Sequence, residues 1–414
     1  MTVSEADKQR ITSYVEAHRD ELAAFLSELV QMRSVFPPGE YAEIAARMDE
    51  AFAATGARTT QIVAPKDRVE EAGLTYPRPN VVASLGSGAS PVLLIGTHMD
   101  VVEEGDAAEW THEPFAGLIE DGRVWGRGAC DAKCTLAAQV FAARALVDAG
   151  VTLSGTLLLI ASVDDEGRFD RLKWPGMTFL AESGLAEAGY PQPDMAINGE
   201  ASGLAHICGS FKGRLILEIP VIGETAHAAT SFGVNAIDKA LVLVARLRQI
   251  PLEEHPLQGS ETLNICAIEG RADRYGDIPP ICRVGVEIRA VPPHGTGRIR
   301  AAIDRVLSDL HDEDPDFKVG ELTYFSDRAP VETPADHPLI GALVDAAAYV
   351  GVNARYDAIL GTGELQAFVS QGIAGVTYGP GSIGLVHRSN EYLDIDELVH
   401  QTQIYALAAL ELCG

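Results

Sequence analysis

The sequence predicts an α/β protein with a mostly parallel central sheet, plus an inserted α+β unit, and three observations carry that prediction. Short apolar runs alternate with Ala-rich segments of helical period early and late in the chain, as βαβ units require. Between them the pattern switches to alternating apolar and polar residues, the mark of an antiparallel sheet with one wet face. At 414 residues, 47% of them hydrophobic, the chain is long enough to give both units a core.

The elements follow in order. The N-terminal MTVSEADKQRITSYVEAHRDELAAF reads as one charged amphipathic helix and lacks the apolar stretch of a signal peptide. PVLLIG (91–96), TLLLIAS (156–162), DMAIN (194–198) and AGVTYG (374–379) are continuous apolar runs, expected as buried strands. CTLAAQVFAARALVDAG (134–150) and PLIGALVDAAAYVG (338–351) keep a helical period and close on glycine. GRLILEIPVIGE (213–224) and PICRVGVEIRAVPP (280–293) alternate as half-buried strands, and NAIDKALVLVARLRQI (235–250) and GRIRAAIDRVLSDLH (297–311) are helices beside them.

Composition excludes several function classes. A net charge of −27 argues against nucleic acid and anionic membranes as partners. Six cysteines without a CxxC pair do not make a disulfide framework, which with the leaderless N-terminus predicts a reducing, cytoplasmic setting. No apolar run reaches the roughly 20 residues of a membrane span.

In open parallel sheets, ligands collect beyond the carboxyl ends of the strands. Four predicted strands end there in metal-binding groups: His98 and Asp100 after the first, Asp164, Asp165 and Glu166 after the second, Glu200 after the third, and His387 after the fourth. Asp131 follows the Gly-rich turn GRGACDAK just before a helix. A lone histidine at a strand end is commonly a core residue. Two histidines and several carboxylates at one sheet edge form instead a ligand set for one or two divalent transition-metal ions such as Zn, Mn or Co. Such cations would also neutralise the acidic run 164–166, whose burial is otherwise costly.

These residues resemble the M20 family of metallopeptidases and amidohydrolases. GTHMDVV (96–102), Trp110, Pro114 and Phe115, DGRVWGRGACDAK (121–133), and the GPG, His and NEY of 379–392 are similar to its signatures in order. The resemblance implies a Zn-peptidase-like catalytic α/β domain, 1–209 and 328–414, and an inserted α+β lid or dimerisation domain, 210–327. It implies metal ligands His98, Asp131, Glu166, Glu200 and His387, with Asp131 bridging. Asp100 would hydrogen-bond the ligand histidine and set its tautomer. Asp165 would be the general base, taking a proton from metal-activated water and passing it to the leaving amine. GETAHAATSFGVNAI (223–237) resembles the family's dimer-interface motif, so His227 would cross a homodimer interface to stabilise the oxyanion. Gly379, Pro380 and Gly381 would form a substrate-facing loop, and Arg289 would bind a substrate carboxylate.

The chain departs from the family at several points. Asp165 stands where the family usually has Glu, which sets the carboxylate back by about 1.5 Å. Cys134 stands where Gly is preferred and is expected as a packed core thiol rather than a metal ligand or a partner of Cys130. Gly276 replaces a common Asn, and GTGELQAF (361–368) lacks the family's Asp. The expected activity is therefore C–N bond hydrolysis of a small carboxylate-bearing substrate. The departures also favour an aromatic aminohydrolase of the 5-nitroanthranilate type, which replaces an arylamine by hydroxyl. A catalytically silent metal-binding protein is the alternative of another class. A nucleotide-binding dehydrogenase is not supported, because neither GSGAS (86–90) nor GPGSIG (379–384) completes GxGxxG between strand and helix.

Overall fold

The apolar runs become the strands of one large sheet in the computed structural model, which describes residues 4–74, 77–166, 175–230, 232–359 and 363–414. The N-terminal segment is two helices, α1 (Glu5–Ala17) and α2 (Arg19–Gln31), not the single helix expected. His18 breaks it at φ −108°, ψ 18°, where its ring donates to the Tyr14 carbonyl at 2.8 Å and stacks on Tyr14. That ring satisfies one of the carbonyls left open at the end of α1, while Asp20 and Glu21 suit the positive start of α2.

After α3 (Ala42–Ala54) come β1 (Arg58–Val63), β2 (Pro79–Gly86) and β3 (Val92–His98). Helix α4 (Lys133–Asp148) leads to β4 (Thr156–Ser162), β5 (Met195–Asn198) and β6 (His206–Phe211). The inserted unit holds β7 (Gly213–Ile222), α5 (Ala236–Leu247), β8 (Thr262–Gly270), β9 (Ile281–Ala290), α6 (Gly295–Glu313) and β10 (Thr323–Arg328). The chain then returns through β11 (Val331–Glu332), α7 (Pro338–Tyr349), β12 (Arg355–Ile359), β13 (Ala374–Thr377) and α8 (Ile395–Cys413).

The large sheet runs β1-β2-β4-β3-β5-β13-β6-β11, with β12 also on β6. Its centre, β4-β3-β5-β13, is parallel, and antiparallel strands flank it. Every residue of β3 and β4 is buried, which is why these strands lack the two-residue alternation. Buried Gln139 of α4 ties them together, donating to Ile95 O at 3.0 Å and Ile160 O at 3.1 Å. The expected fold class is borne out.

The second sheet is antiparallel, β8-β9-β7, with β10 along the other edge of β7. Leu215, Leu217, Ile219 and Val221 of β7 alternate into a separate core with Leu243 of α5 and Ile303 of α6. Strand membership changes from the large sheet to the second sheet at Lys212, and back again between Arg328 and Val331.

Candidate metal centre

The parallel strands end side by side, so their carboxyl-terminal loops meet over one patch. His98 is the last residue of β3, Glu200 lies two past β5, and His387 follows β13 by a longer loop. Asp131 sits just ahead of α4, and Asp165 and Glu166 follow β4. His98, Asp131 and Glu166 have ligand atoms within 4.8 Å of one another, as do His98, Asp165 and Glu200. Asp131 lies between two histidines: its Oδ1 is 3.5 Å from His98 Nε2 and its Oδ2 is 3.4 Å from His387 Nε2. His387 Nε2 is also 2.9 Å from Glu166 Oε2. All five expected ligands are brought together.

The electrostatics show a site crowded with negative charge. Burial, reinforced by neighbouring carboxylates, pushes Glu200 up to about 8 and Glu166 up to about 7. Hydrogen bonds to Asp131 and Glu166 hold His387 up at about 10. The site therefore holds onto protons, the positive charge that divalent cations would otherwise supply. Imidazole nitrogens and carboxylate oxygens are the donors such ions take, so the residues fit the group. Asn198 aims Glu200, donating to its Oε1 at 2.7 Å.

Asp100 is placed differently from the expectation. The group that receives His98 Nδ1–H is the Asp100 backbone carbonyl, at 2.9 Å, whereas the carboxylate is 3.8 Å away. The contact leaves Nε2 free to face Asp131. The Asp100 carboxylate is occupied elsewhere, accepting from Glu166 N at 2.8 Å and Asp165 N at 3.3 Å. It thus holds the turn that presents the base and a ligand.

The acidic run divides into separate jobs. Asp164 is buried with φ +64°, a left-handed conformation that Asp tolerates better than most residues. Its carboxylate meets Arg78 Nε at 2.7 Å, both side chains being fully buried, and accepts from Tyr41 Oη at 2.6 Å. Burial and the Asp100 charge push Asp164 up to about 7 against the pull of Arg78. Arg78 also donates to the carbonyls of Pro38 and Gly39, at 2.9 and 3.1 Å. Asp164 therefore anchors the turn while Asp165 and Glu166 face the centre. Gly167, expected to break this stretch, lies outside the described residues.

Glu391, quoted in the NEY motif without a role, holds the other side. Its Oε1 accepts from the backbone N–H groups of Gly128, Cys130 and Asp131 at 2.9–3.0 Å, and its Oε2 from Arg127 at 2.6 Å. One buried carboxylate thereby fixes the loop that carries Asp131. Cys134 donates to Cys130 O at 3.3 Å as a packed core thiol, and the six cysteines are free.

Other expected residues lie outside the ligand cluster. Arg289 does not offer a free guanidinium: it meets Glu287 Oε1 at 2.8 Å, which Arg214 shares at 3.0 Å. Gly379 and Gly381 pack on protein rather than lining the cavity beside Asp165. A Cβ at Gly379 would lie 2.5 Å from Glu200 O, and one at Gly381 would lie 2.3 Å from Cys130 Sγ. His227 is exposed on the inserted unit, its Nδ1 accepting from Ala229 N at 3.1 Å. Two residues outside the expected set border Asp165 instead. Arg328 closes β10, and Glu364, in the stretch read as lacking the family's Asp, is buried with Ser162 donating to its oxygens at 2.8 and 3.0 Å. Gly361 and Thr362 of that stretch lie outside the described residues.

The family model for peptidase family M20/M25/M40 matches residues 94–411. The chain belongs to this family. It is thus an M20-type hydrolase of C–N bonds, and its curated relatives carry amide-cleaving names. An acetylornithine deacetylase from Myxococcus xanthus is 30% identical over 337 residues, covering 80% of this chain and 82% of that one. N-formyl-4-amino-5-aminomethyl-2-methylpyrimidine deformylase from Bacillus subtilis is 27% identical over 446 aligned positions, covering 97% and 96%. Among solved structures, a dinuclear metal-binding peptidase of family M20 from Bacillus subtilis superposes with a TM-score of 0.71 at 16% identity, covering 96% of this chain and 99% of that one. Among the described residues no helix of the M20 chain is long and apolar enough to cross a membrane.

Proposed function

We propose that this M20 chain is a divalent-metal-dependent amidohydrolase acting on a small carboxylate-bearing substrate, with Asp165 as the general base. The observation that carries the reading is Asp131, whose two oxygens are directed at two different histidines, the arrangement of a carboxylate shared by two ions. His98, Asp131 and Glu200 would hold one ion; Asp131, Glu166 and His387 would hold the other. When bound, zinc, manganese or cobalt polarises the scissile carbonyl and lowers the pKa of an adjacent water towards neutrality.

The chain's own groups do the rest. Asp165, held by its backbone N–H on Asp100, accepts the proton of the attacking water and delivers it to the leaving nitrogen. Asn198 keeps Glu200 in place, and the Arg78–Asp164 pair keeps the base on its turn. Exposed His227 belongs to the inserted unit, and in a homodimer formed through that unit it would reach the partner's centre to stabilise the oxyanion. A reducing, cytoplasmic setting accords with the free cysteines.

The test is an ammonia-release and ninhydrin screen of manganese-loaded protein over N-acyl amino acids, dipeptides and aminobenzoates. Turnover of an N-acyl amino acid or dipeptide that stops on chelation supports amide hydrolysis. Ammonia released from an aminobenzoate alone would replace that reading with the aromatic aminohydrolase. No turnover on any arm would favour the silent metal-binding protein.

A further inference from the structure

We propose that Asn390 is a positioning residue for His387, clasping the loop that carries this exposed ligand to the turn at 109–111. The proposal rests on the two-ion reading for what His387 holds, but not for the clasp itself. The ligands differ in how firmly the fold places them. The His98 side chain is 1% exposed and ends β3, and those of Asp131 and Glu166 are 9% and 7% exposed. The His387 side chain is 48% exposed and lies well beyond Thr377, the end of β13. Its φ of +62° is in the left-handed region, where residues other than glycine are uncommon.

Between Gly381 and Asn390 the backbone forms turns and bends, without strand or helix, so side chains must hold it. Asn390 Oδ1 accepts from the backbone N–H of Thr111 at 2.6 Å and from the Thr111 hydroxyl, and its Nδ2 donates to Glu109 O at 2.9 Å. Ser389 Oγ donates to Glu109 Oε2 at 3.1 Å. Arg127, already paired with Glu391, donates to Arg388 O at 3.2 Å. The receiving turn is itself anchored. Trp110 Nε1 donates to Glu104 O at 2.8 Å, and the Arg127 guanidinium lies 5.3 Å from the centre of the Trp110 ring. The residues just after His387 are thus tied to a fixed turn, with Asn390 making most of the bonds.

The clasp needs an amide. Thr111 offers two donors and Glu109 O an acceptor, and Asn is the shortest side chain that both accepts and donates at separate atoms. Asn also tolerates the left-handed backbone found here, φ +61°. With the clasp open, His387 loses its fixed place 3.4 Å from Asp131 and 2.9 Å from Glu166. His98 and Glu200 stay put, because β3 and β5 belong to the centre of the large sheet. The disturbance therefore falls on one ion and spares the other. Groups that buttress a metal ligand commonly contribute about 10- to 100-fold in metal affinity.

Two measurements on the full-length protein test this: calorimetric titration with Mn²⁺, and hydrogen–deuterium exchange of the metal-free chain. In Asn390→Ala one of two manganese ions is expected to bind on the order of tenfold or more weakly, while the other keeps its affinity. His387→Ala identifies which binding step belongs to this ligand. Thr111→Val should weaken the same ion by less, and Thr111→Ser, which keeps the hydroxyl donor, should restore the affinity of the unaltered protein. In the metal-free chain Asn390→Ala should raise exchange at 385–391 and 104–112 and leave β3 unchanged. Both ions unchanged or equally weakened in Asn390→Ala, or exchange at 385–391 unaltered, would overturn the proposal. If exchange rises as expected while the unaltered protein takes up no manganese, the clasp stands and the metal-dependent reading falls.

Discussion

Asp165→Asn is expected to abolish turnover while leaving the metal content of the protein unchanged. Asn has the shape of Asp but cannot take a proton at neutral pH, and loss of a positioned general base costs about 100- to 10,000-fold. The backbone N–H of residue 165 donates to Asp100, so the turn does not depend on the side chain being replaced. Two measurements are needed together: kcat on whichever amide the screen identifies, and bound metal per chain by atomic absorption. A fall in metal content would make Asp165 a ligand, for which its position within 4.8 Å of His98 and Glu200 leaves room. Full rate with full metal would move the base elsewhere, and Glu364, in the wall of the cavity beside Asp165, would be the next carboxylate to test.

Arg78→Met should be the most destabilising change near the site. Removing one partner of a buried ion pair leaves the other without compensation and costs about 3–5 kcal/mol. Here the orphan is Asp164, fully buried, with Tyr41 alone among the described residues still donating a hydrogen bond to it. The deficit also has a pH signature. Without Arg78 the folded chain must keep Asp164 protonated, further above the about 7 to which burial already raises it, whereas the unfolded chain ionises it near 4. A raised folded pKa means that stability is present at low pH and lost as pH rises. The gap between variant and unaltered protein should therefore widen from pH 6 to pH 9, read as thermal midpoints roughly 5 °C or more apart at the upper end. Asp164→Asn in the Arg78→Met background should recover much of the loss, because it removes the orphaned charge. A deficit under about 1 kcal/mol, flat with pH, would show that Arg78 is not what neutralises the turn.

How far the site could be read from sequence depended on whether its determinants were local. His98, Asp131, Glu166 and Glu200 were legible because each lies a few residues from a strand end or helix start, and a parallel sheet gathers such ends on one edge. His387, at the end of a longer loop after β13, was legible through the GPG, His and NEY signature. The partner of Asp164 was not, because Arg78 comes from an antiparallel strand boundary that no periodicity ties to residue 164. Glu391 was in a quoted motif, but its three backbone donors lie about 260 residues away and emerge only in three dimensions. The pairing of Arg289 is a different case. Glu287 and Arg289 are two apart on one strand and so share a face, and their pairing could have been read from the alternation alone. Asp100 shows the limit of residue-level reasoning: the right residue touches His98, but through its carbonyl, leaving the carboxylate for the neighbouring turn.

The most direct measurement is anomalous diffraction at the manganese edge from crystals of the full chain grown with excess Mn²⁺. Two peaks are expected on either side of the Asp131 carboxylate, one in contact with His98 and Glu200 and the other with Glu166 and His387. Strong manganese peaks elsewhere on the molecule, with none touching Asp131, would contradict the metal centre and with it the hydrolytic mechanism.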